Sequence, residues 1–425
     1  MAKTVWRLLA AMTMMLATAP WALADEIDGR NIPVPPPGTP LGEEKIPSNR
    51  ELWQLLQQQQ GVIDQQQAEI TQLRGQLEAT GEAFDSLQVA RGASESGSSW
   101  ADRTTVGGYG ELHYNNLENR RSSGDDKEMI DFHRFVLFFD HEFNDSIRFF
   151  SELEVEHVLV GDGKPGEVEL EQAYLEFDLL EDTTARAGLF LIPVGILNET
   201  HEPPTFYGVE RNPIESNIIP STWWEGGAML SGRFDRGFSA DLALTSGLKT
   251  DGFSIRGGRQ KVAKADASDG AVTGRVVWRG FPGLELAASG QWQWDINSMG
   301  ERTPASLFET HLVYNHGPFG LRALYARWDL FSDKSEIGGK NEQYGFYVEP
   351  SVRISENFGV FGRFNQWDNG AGKDTTMSNR YRQWDVGVNF WPHPDVVMKF
   401  DYQNQSAPDG EDEFDGINLG IGYQF

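Results

Sequence analysis

From Trp100 to the carboxyl terminus, apolar and polar residues alternate with a period of two over many short runs. The last nine residues show the pattern clearly. Apolar or aromatic residues fill every second position from Ile417 to Phe425, and polar or small residues fill the others. Such a segment forms a β-strand with one face suited to lipid and the other suited to water. The alternation therefore predicts the strands of a transmembrane barrel.

Charged residues occupy the polar face of several of these alternating runs. In the run from Ile147 to Glu156, three of the four polar positions are acidic. Because a wide transmembrane barrel turns its polar faces toward water in its interior, we expect these side chains to line the barrel from within. The candidate lining residues on strands are Glu111, Arg134, Arg148, Glu152, Glu154, Glu156 and Arg186.

The connections between the runs alternate in length. Tight turns are predicted near 144–146, 181–183 and 235–237, whereas longer polar loops are predicted at positions such as 115–128 and 248–270. Outer-membrane barrels alternate tight periplasmic turns with long external loops in this way. We therefore predict an all-β transmembrane barrel of about 16 antiparallel strands over 101–425, with about 14 or about 18 strands as alternatives.

The third external loop, predicted at 193–224, is the natural element to narrow such a barrel. It combines five prolines with aromatic residues such as Tyr207 and Trp223, which is typical of a stiff and packed loop. Its charged side chains are expected to surround a constriction that sets ion preference. An alternative places the loop over the outside of the barrel or against a neighbouring subunit. The candidate constriction residues are Glu199, His201, Glu202, Glu210, Arg211 and Glu215.

Residues 1–24 have the pattern of a cleaved secretory signal peptide. Basic residues precede an apolar run, and Ala22-Leu23-Ala24 offers a small-x-small cleavage site. An uncleaved anchor helix is the alternative interpretation. An exported chain with a transmembrane barrel is expected in the cell outer membrane, with its N-terminal segment in the periplasm.

Between the signal and the barrel, three segments are predicted. Six prolines between 33 and 47 indicate an extended, Pro-rich linker over 25–50. A heptad repeat over 51–90 predicts a periplasmic coiled coil, and a disordered Gln-rich arm is the alternative. Ser- and Gly-rich sequence predicts a flexible hinge at 91–100. The core positions of the coiled coil are Leu56, Ile63, Ile70, Leu77 and Phe84.

At the other end of the chain, the terminal aromatic residue Phe425 is the candidate signal for membrane insertion.

Composition excludes several classes of protein. Lys and Arg number 36 against 63 Asp and Glu, so the formal net charge is −27, which excludes a protein that binds nucleic acid through its phosphates. The absence of cysteine excludes thiol catalysis and Cys-based metal sites. No G-x-S-x-G motif is present. We therefore expect no enzyme activity, no cofactor and no metal site, with a barrel hydrolase as an alternative.

Two partners besides membrane lipid are considered. An acidic segment around 409–415 is suited to contact lipopolysaccharide through divalent cations, although a solvated surface is the simpler interpretation. The coiled coil is long enough to reach toward peptidoglycan, since a helix rises about 1.5 Å per residue. An alternative function is therefore an outer-membrane anchor that tethers the barrel to the cell wall.

Three stretches resemble the phosphate-selective porin O and P family of Gram-negative outer-membrane porins. They are GEVELEQAYLEFD, RAGLFLIPVGILNETHEPPTFYGVERNP and IIPSTWWEGGAML, and the resemblance covers about 100–425. It implies a homotrimer of sixteen-stranded barrels and passive diffusion of small hydrophilic solutes or ions. Related porins also carry an N-terminal coiled coil.

The selectivity of that family does not transfer directly. Phosphate-selective members use arginine ladders and lysine clusters, whereas the polar faces of this chain are mainly acidic. Phosphate would meet net negative charge unless lysines and arginines converge at the constriction. The sequence therefore predicts a general or weakly cation-preferring channel, with a phosphate- or anion-selective porin as the alternative.

Overall fold

The computed structural model describes residues 100–121, 124–298, 300–333, 339–372 and 379–425. The predicted signal peptide, Pro-rich linker and coiled coil, including Leu56, Ile63, Ile70, Leu77 and Phe84, lie outside the described residues. The predicted hinge also lies outside them, except for Trp100. No helix among the described residues is long and apolar enough to cross a membrane.

Sixteen antiparallel strands in the described part of the chain form one closed barrel. Each strand pairs with its neighbours along the chain, and the first pairs with the last. The predicted fold class of the barrel is confirmed. The strands are β1 Thr104–Asn119, β2 Lys127–Asn144, β3 Ile147–Glu156, β4 Val168–Leu180, β5 Thr183–Leu191, β6 Trp224–Phe234, β7 Phe238–Thr245, β8 Ala271–Phe281, β9 Leu284–Gln293, β10 Ala305–His316, β11 Phe319–Leu330, β12 Glu342–Arg353, β13 Phe358–Asp368, β14 Arg380–His393, β15 Val396–Ser406 and β16 Phe414–Gln424.

Burial along the strands is inverted relative to a water-soluble protein. On β16, Leu419 and Ile421 point outward and are 42% and 39% exposed, whereas the inward Asn418 is 1% exposed. On β9, the outward Trp292 is exposed, and the inward Gln293 is buried. An apolar outer face and a polar inner face are what a barrel in lipid requires. The alternating apolar and polar residues of the sequence thus face the outside and the inside of the barrel, respectively.

The connections follow the predicted alternation, with one difference. The turns at 145–146, 181–182 and 235–237 are tight, and long connections separate them. The pattern predicts a polar loop over 115–128, but β1 continues to Asn119 and β2 already begins at Lys127. Polar residues extend these two strands because a ladder that projects beyond the lipid needs no apolar face.

Candidate functional site

The third loop, residues 192–223, joins β5 to β6 and folds into the interior of the barrel. Its side chains Ile218 and Trp223 are fully buried. They belong to one apolar cluster with inward-facing side chains such as Trp328 of β11 and Tyr347 of β12. Trp328 also donates from Nε1 to the backbone carbonyl of Ile218 at 2.9 Å. Burial of apolar surface therefore holds the loop against the inner wall formed by β10 to β13.

The buried side chain of Glu215 stabilises the third loop through hydrogen bonds. Its side chain is fully buried, and one carboxylate oxygen accepts from the backbone amides of Ile196 and Leu197, each at 2.6 Å. The other oxygen accepts from Asn212 Nδ2 at 2.9 Å and from the Tyr347 hydroxyl at 3.0 Å. Four donors compensate the loss of hydration of this charge. The predicted constriction residue Glu215 thus anchors the loop to itself and to β12.

The middle of the third loop is bonded through its main chain to β15. The buried ammonium of Lys399 donates to the carbonyl of Gly208 at 2.8 Å. The buried carboxylate of Asp401 accepts from the amide of Val209 at 2.6 Å. Moving the loop away from β15 would leave two buried charges without these partners, which is costly.

Glu210 links the third loop to β1. Its Oε1 accepts from His113 Nδ1 and from Asn115 Nδ2, both at 3.1 Å. Burial would raise the pKa of Glu210, but the hydrogen bond and the charge of His113 outweigh it and hold the pKa at about 2. The side chain still keeps 43% of its surface accessible. Glu210 is therefore an ionised group that faces both the wall and open space inside the barrel.

Arg134 of β2 lies between two predicted glutamates on the inner wall. Its Nε is 2.8 Å from Glu111 Oε1, and its Nη1 is 3.4 Å from Glu154 Oε1. Glu111 Oε2 also lies 3.1 Å from Nε2 of His113. All four side chains are buried. The wall from β1 to β3 thus carries charges of alternating sign.

His201 of the third loop faces Glu152 of β3 and Glu171 of β4. Its Nε2 lies 3.4 Å from Glu152 Oε1 and 3.7 Å from Glu171 Oε2. All three residues are exposed by 2% or less. Sequence analysis identified His201 and Glu152 but missed Glu171. A shift of register between β3 and β4 at Leu153 places Glu171 beside them, and the alternation of the sequence does not reveal this shift.

Arg148 and Arg186 share a carboxylate on the inner wall of β3 to β5. Arg148 Nη2 donates to Glu176 Oε1 at 2.8 Å, and Arg186 Nε donates to Glu176 Oε2 at 2.5 Å. Glu199 of the third loop similarly pairs with Arg275 of β8. The predicted residues Arg148, Arg186 and Glu199 therefore form ion pairs, and residues of the barrel wall compensate their charges.

Two further predicted residues occupy different surroundings. Glu156 ends β3, and one of its carboxylate oxygens lies within 4.8 Å of oxygens from Glu167 and Glu169. Lys261 bonds Glu167 at 2.7 Å and also bonds Glu169. Glu202 is half-buried in the third loop. The structure thus brings Glu156 into a carboxylate group with a lysine that sequence analysis did not single out.

Arginines from the third loop and from the fourth loop, residues 246–270, lie close to one another. Arg256 is an exposed residue, and its Nη1 donates to the backbone carbonyls of Ser216 and Ser221. Loss of hydration, followed by the charges of Arg259, Arg211 and Arg134, lowers the pKa of Arg256 to about 10. Arg211 Nη2 and Arg259 Nε are buried and have no hydrogen-bond partner among the described residues. Sequence analysis identified Arg211 but missed the two arginines of the fourth loop, since no pattern indicates that this loop covers the third.

Solved structures with a similar fold are outer-membrane porins and channels. The anion-selective porin of Comamonas acidovorans is 14% identical with a TM-score of 0.56, and the match covers 76% of this chain and 99% of that chain. OmpF of Salmonella typhi, solved in complex with daunomycin, is 13% identical with a TM-score of 0.55 over 76% and 97%. The outer-membrane channel DcaP of Acinetobacter baumannii is 14% identical with a TM-score of 0.53 over 76% and 97%. These likenesses establish a shared barrel fold.

A relative by sequence is also found. No protein-family model matches the chain. An uncharacterized protein of Aquifex aeolicus (strain VF5) is 31% identical over 345 residues, and the match covers 72% of this chain and 77% of the relative. The chain therefore belongs to the same family as this Aquifex aeolicus protein, and the barrel of this chain has the fold of the outer-membrane porins.

Proposed function

We propose that the protein is an outer-membrane porin, a water-filled channel through which small polar or charged solutes and ions diffuse passively. The observation that carries this proposal is a closed sixteen-stranded barrel with an apolar exterior and an interior rich in ionisable groups. A barrel of this width is too large for its wall side chains to fill, so it encloses water. Its similarity in fold to porins supports the same interpretation.

The third loop is proposed to form the constriction. It crosses from the apolar cluster near Trp328 to hydrogen bonds with Lys399 on β15 and His113 on β1. A loop bonded at several points around the inner wall leaves a smaller passage than the barrel alone. Its rigid attachment means that the passage keeps a fixed width during conduction.

A weak preference for cations is the proposed selectivity. The chain carries a formal net charge of −27, and the inner wall holds buried carboxylates at Glu111, Glu152, Glu154 and Glu171. Negative potential inside a low-dielectric passage raises the local concentration of cations. The proposal is therefore a general channel with a modest excess of cation current.

Anion conduction is the second candidate, and one observation favours it. Arg211, Arg256 and Arg259 gather at the third and fourth loops, and two of them have buried N–H groups without a hydrogen-bond partner among the described residues. The positive charge of these arginines would attract a small anion to this point of the passage. One structural neighbour is itself an anion-selective porin.

Location and assembly are part of the same proposal. We place the barrel in the cell outer membrane as a homotrimer, surrounded by lipid and lipopolysaccharide, with the N-terminal segment in the periplasm and within reach of peptidoglycan. The apolar outer face of the barrel supports the membrane location. A pure anchor or a barrel hydrolase would not require the continuous passage proposed here.

The reversal potential of the purified full-length protein in a planar bilayer under a KCl gradient tests the proposal. We expect stable single-channel conductance with weak cation preference. Arg259→Gln should increase the cation preference, and Glu156→Gln should decrease it. Arg233→Gln is the control, because Arg233 lies near the end of β6 with a side chain that is 76% exposed, and it should leave the cation preference unchanged. Anion preference that phosphate blocks would favour the second candidate. A folded protein without conductance would overturn the channel proposal.

A further inference from the structure

Three buried ligand atoms from three parts of the chain converge on one point. They are Nε2 of His201 in the third loop, Oε1 of Glu152 on β3 and Oε2 of Glu171 on β4. All three lie within 4.8 Å of one another. None of the three has a hydrogen-bond partner among the described residues. Buried polar atoms in native proteins are seldom left in this condition, so a ligand is indicated at the point where they meet.

The remaining polar atom of each side chain is held by a neighbour. Glu152 Oε2 accepts from Gln172 Nε2 at 2.7 Å, and Glu171 Oε1 accepts from the Thr222 hydroxyl at 2.8 Å. His201 Nδ1 lies 3.1 Å from a backbone carbonyl. A carbonyl can only accept, so Nδ1 carries a proton, and Nε2 is the ring nitrogen left to face the two carboxylates. Outer partners of this kind orient the ligands of metal sites.

The distances suit a metal ion better than a direct ion pair. A protonated Nε2 would be expected to approach one carboxylate to about 2.8 Å. Instead it lies 3.4 Å and 3.7 Å from two oxygens. Two ligand atoms bound to the same tetrahedral Zn²⁺, at about 2.0–2.1 Å each, are separated by about 3.3 Å. A small inward movement of the three side chains would therefore bring all three ligand atoms to bonding distance from one Zn²⁺ ion.

A further buried carboxylate lies next to the three ligand atoms. Glu154, two residues along β3, is fully buried, and neither of its carboxylate oxygens has a hydrogen-bond partner among the described residues. Arg134 lies 3.4 Å from Glu154 but also neutralises Glu111 at 2.8 Å. Burying a carboxylate without a hydrogen-bond partner is costly, and a divalent cation bound nearby would reduce that cost.

We propose that Glu152, Glu171 and His201 bind one divalent transition-metal ion of the Zn²⁺ class, which fastens the third loop to the wall of β3 and β4. One imidazole nitrogen and two carboxylate oxygens form a ligand set suited to such ions, and the remaining position is open to water. The inference does not depend on the proposed channel activity, because it concerns binding to the folded barrel and is tested by binding.

The barrel contains a matched control site. His311 of β10 also lies between two carboxylates, but its Nδ1 bonds Glu309 at 2.7 Å and its Nε2 bonds Glu285 at 3.1 Å. Both ring nitrogens are therefore occupied, and no metal is expected there. In a third histidine group, Nδ1 of His133 and Nδ1 of His157 both contact the same Asp131 carboxylate oxygen, at 3.3 Å and 2.7 Å.

The experiment is a titration of the full-length protein, refolded in detergent and stripped of metal, with Co²⁺ followed by visible absorption and with Zn²⁺ followed by competition against a chromophoric chelator. We expect one ion per chain. His201→Gln and Glu171→Gln should each weaken binding by at least about tenfold. His311→Gln and the double variant His133→Gln/His157→Gln should leave the affinity unchanged.

Folding of each variant is verified by circular dichroism, and a second measurement keeps the test independent of any one substitution. Zn²⁺ should raise the Tm of the wild-type protein and of His311→Gln but not that of Glu171→Gln. Absence of stoichiometric binding by the folded wild-type protein would overturn the proposal. Equal affinity of the wild-type protein and both folded ligand variants would also overturn it.

Discussion

At the scale of single residues, Glu215 shows how a buried charge can stabilise a loop inside a barrel. Its carboxylate accepts from the amides of Ile196 and Leu197 and from the side chains of Asn212 and Tyr347. Hydrogen bonds to a charged group each contribute about 1.5–3 kcal/mol, and an orphaned buried donor is costly. Glu215 is therefore expected to be the strongest single determinant of the loop's shape.

Replacing Glu215 by Ala should loosen the third loop. The change leaves two backbone amides without a partner inside the protein, so we expect the free energy of unfolding to fall by at least about 3 kcal/mol. Thermal unfolding of the refolded variant measures this loss. Tyr347→Phe removes only one of the four bonds to the same carboxylate, and its cost should be about 1.5–2 kcal/mol. Equal losses for the two variants would contradict the assigned role.

Sequence reasoning could identify Glu215 as a charged residue of the loop but could not assign its role. The partners at Ile196 and Leu197 are backbone groups 19 and 18 residues away. Any residue type supplies such amides, so no residue pattern reports them. The same limit explains Glu171 and Arg259, whose positions depend on a register shift and on the path of another loop.

At the scale of elements, the third loop is attached to the wall by two kinds of contact. Buried apolar side chains such as Ile218 and Trp223 pack on β10 to β13, and their packing does not depend on pH. Ionic contacts such as that of Glu210 with His113 hold the opposite side. Acid should therefore weaken one side of the attachment and leave the other in place.

The Glu210 contact makes a specific prediction about pH. Because the folded-state pKa of Glu210 is about 2, below its ordinary value, the ionised carboxylate stabilises the fold above about pH 4.5. That contribution is lost as the pH falls toward 2. Wild-type protein should thus have a higher Tm than Glu210→Gln at pH 6, and the difference should shrink progressively between pH 4.5 and about 2. A difference that stays constant over this range would contradict the assignment.

The existence and bounds of the third loop were predictable, but its attachment points were not. Prolines and aromatic residues indicated a stiff loop at 193–224, and the structure has it at 192–223. Its contacts with Lys399 and Asp401 join positions nearly 200 residues apart, since the separations are 191 and 192. Only the closure of the barrel brings these positions together.

At the scale of the whole molecule, the alternation of residues and the tight turns were sufficient to predict sixteen strands. Side-chain period and turn chemistry are local, so they can be read without knowing the fold. The misassigned part of 115–128 lies where β1 and β2 carry polar residues on both faces. A strand that extends beyond the lipid needs no apolar outer face, so the alternation of apolar and polar residues that indicates a strand is lost there.

Deletion of 25–99 should leave a folded barrel with conductance like that of the full chain. Among the described residues, every strand ladder lies between Thr104 and Gln424, and this part of the chain belongs to a compact unit of its own from Gly97 onward. Bilayer recordings and thermal unfolding of the shortened protein measure both properties. Loss of conductance with the barrel still folded would instead assign the N-terminal segment an essential role in the channel.

Removing the single residue Phe425 should reduce assembly of the barrel in the outer membrane far more than deletion of 25–99. Its backbone exchanges two hydrogen bonds of 2.9 Å with Gly108 of β1, and its ring points outward at 63% exposure. The yield of heat-resistant barrel in the outer membrane measures the effect. Phe425→Tyr, which keeps both the backbone bonds and an aromatic ring, should assemble like the wild-type protein.

The pairing of β1 with β16 also has a consequence for the folding pathway. Asn115 donates to Asn418 at 2.8 Å across a separation of 303 residues. The two strands that seal the sheet are thus the first and the last to leave the ribosome, and contacts so distant in sequence form slowly. Until they meet, each end of the sheet is an unpaired edge that invites aggregation. The nascent protein therefore needs protection from aggregation with other chains until β16 can pair with β1.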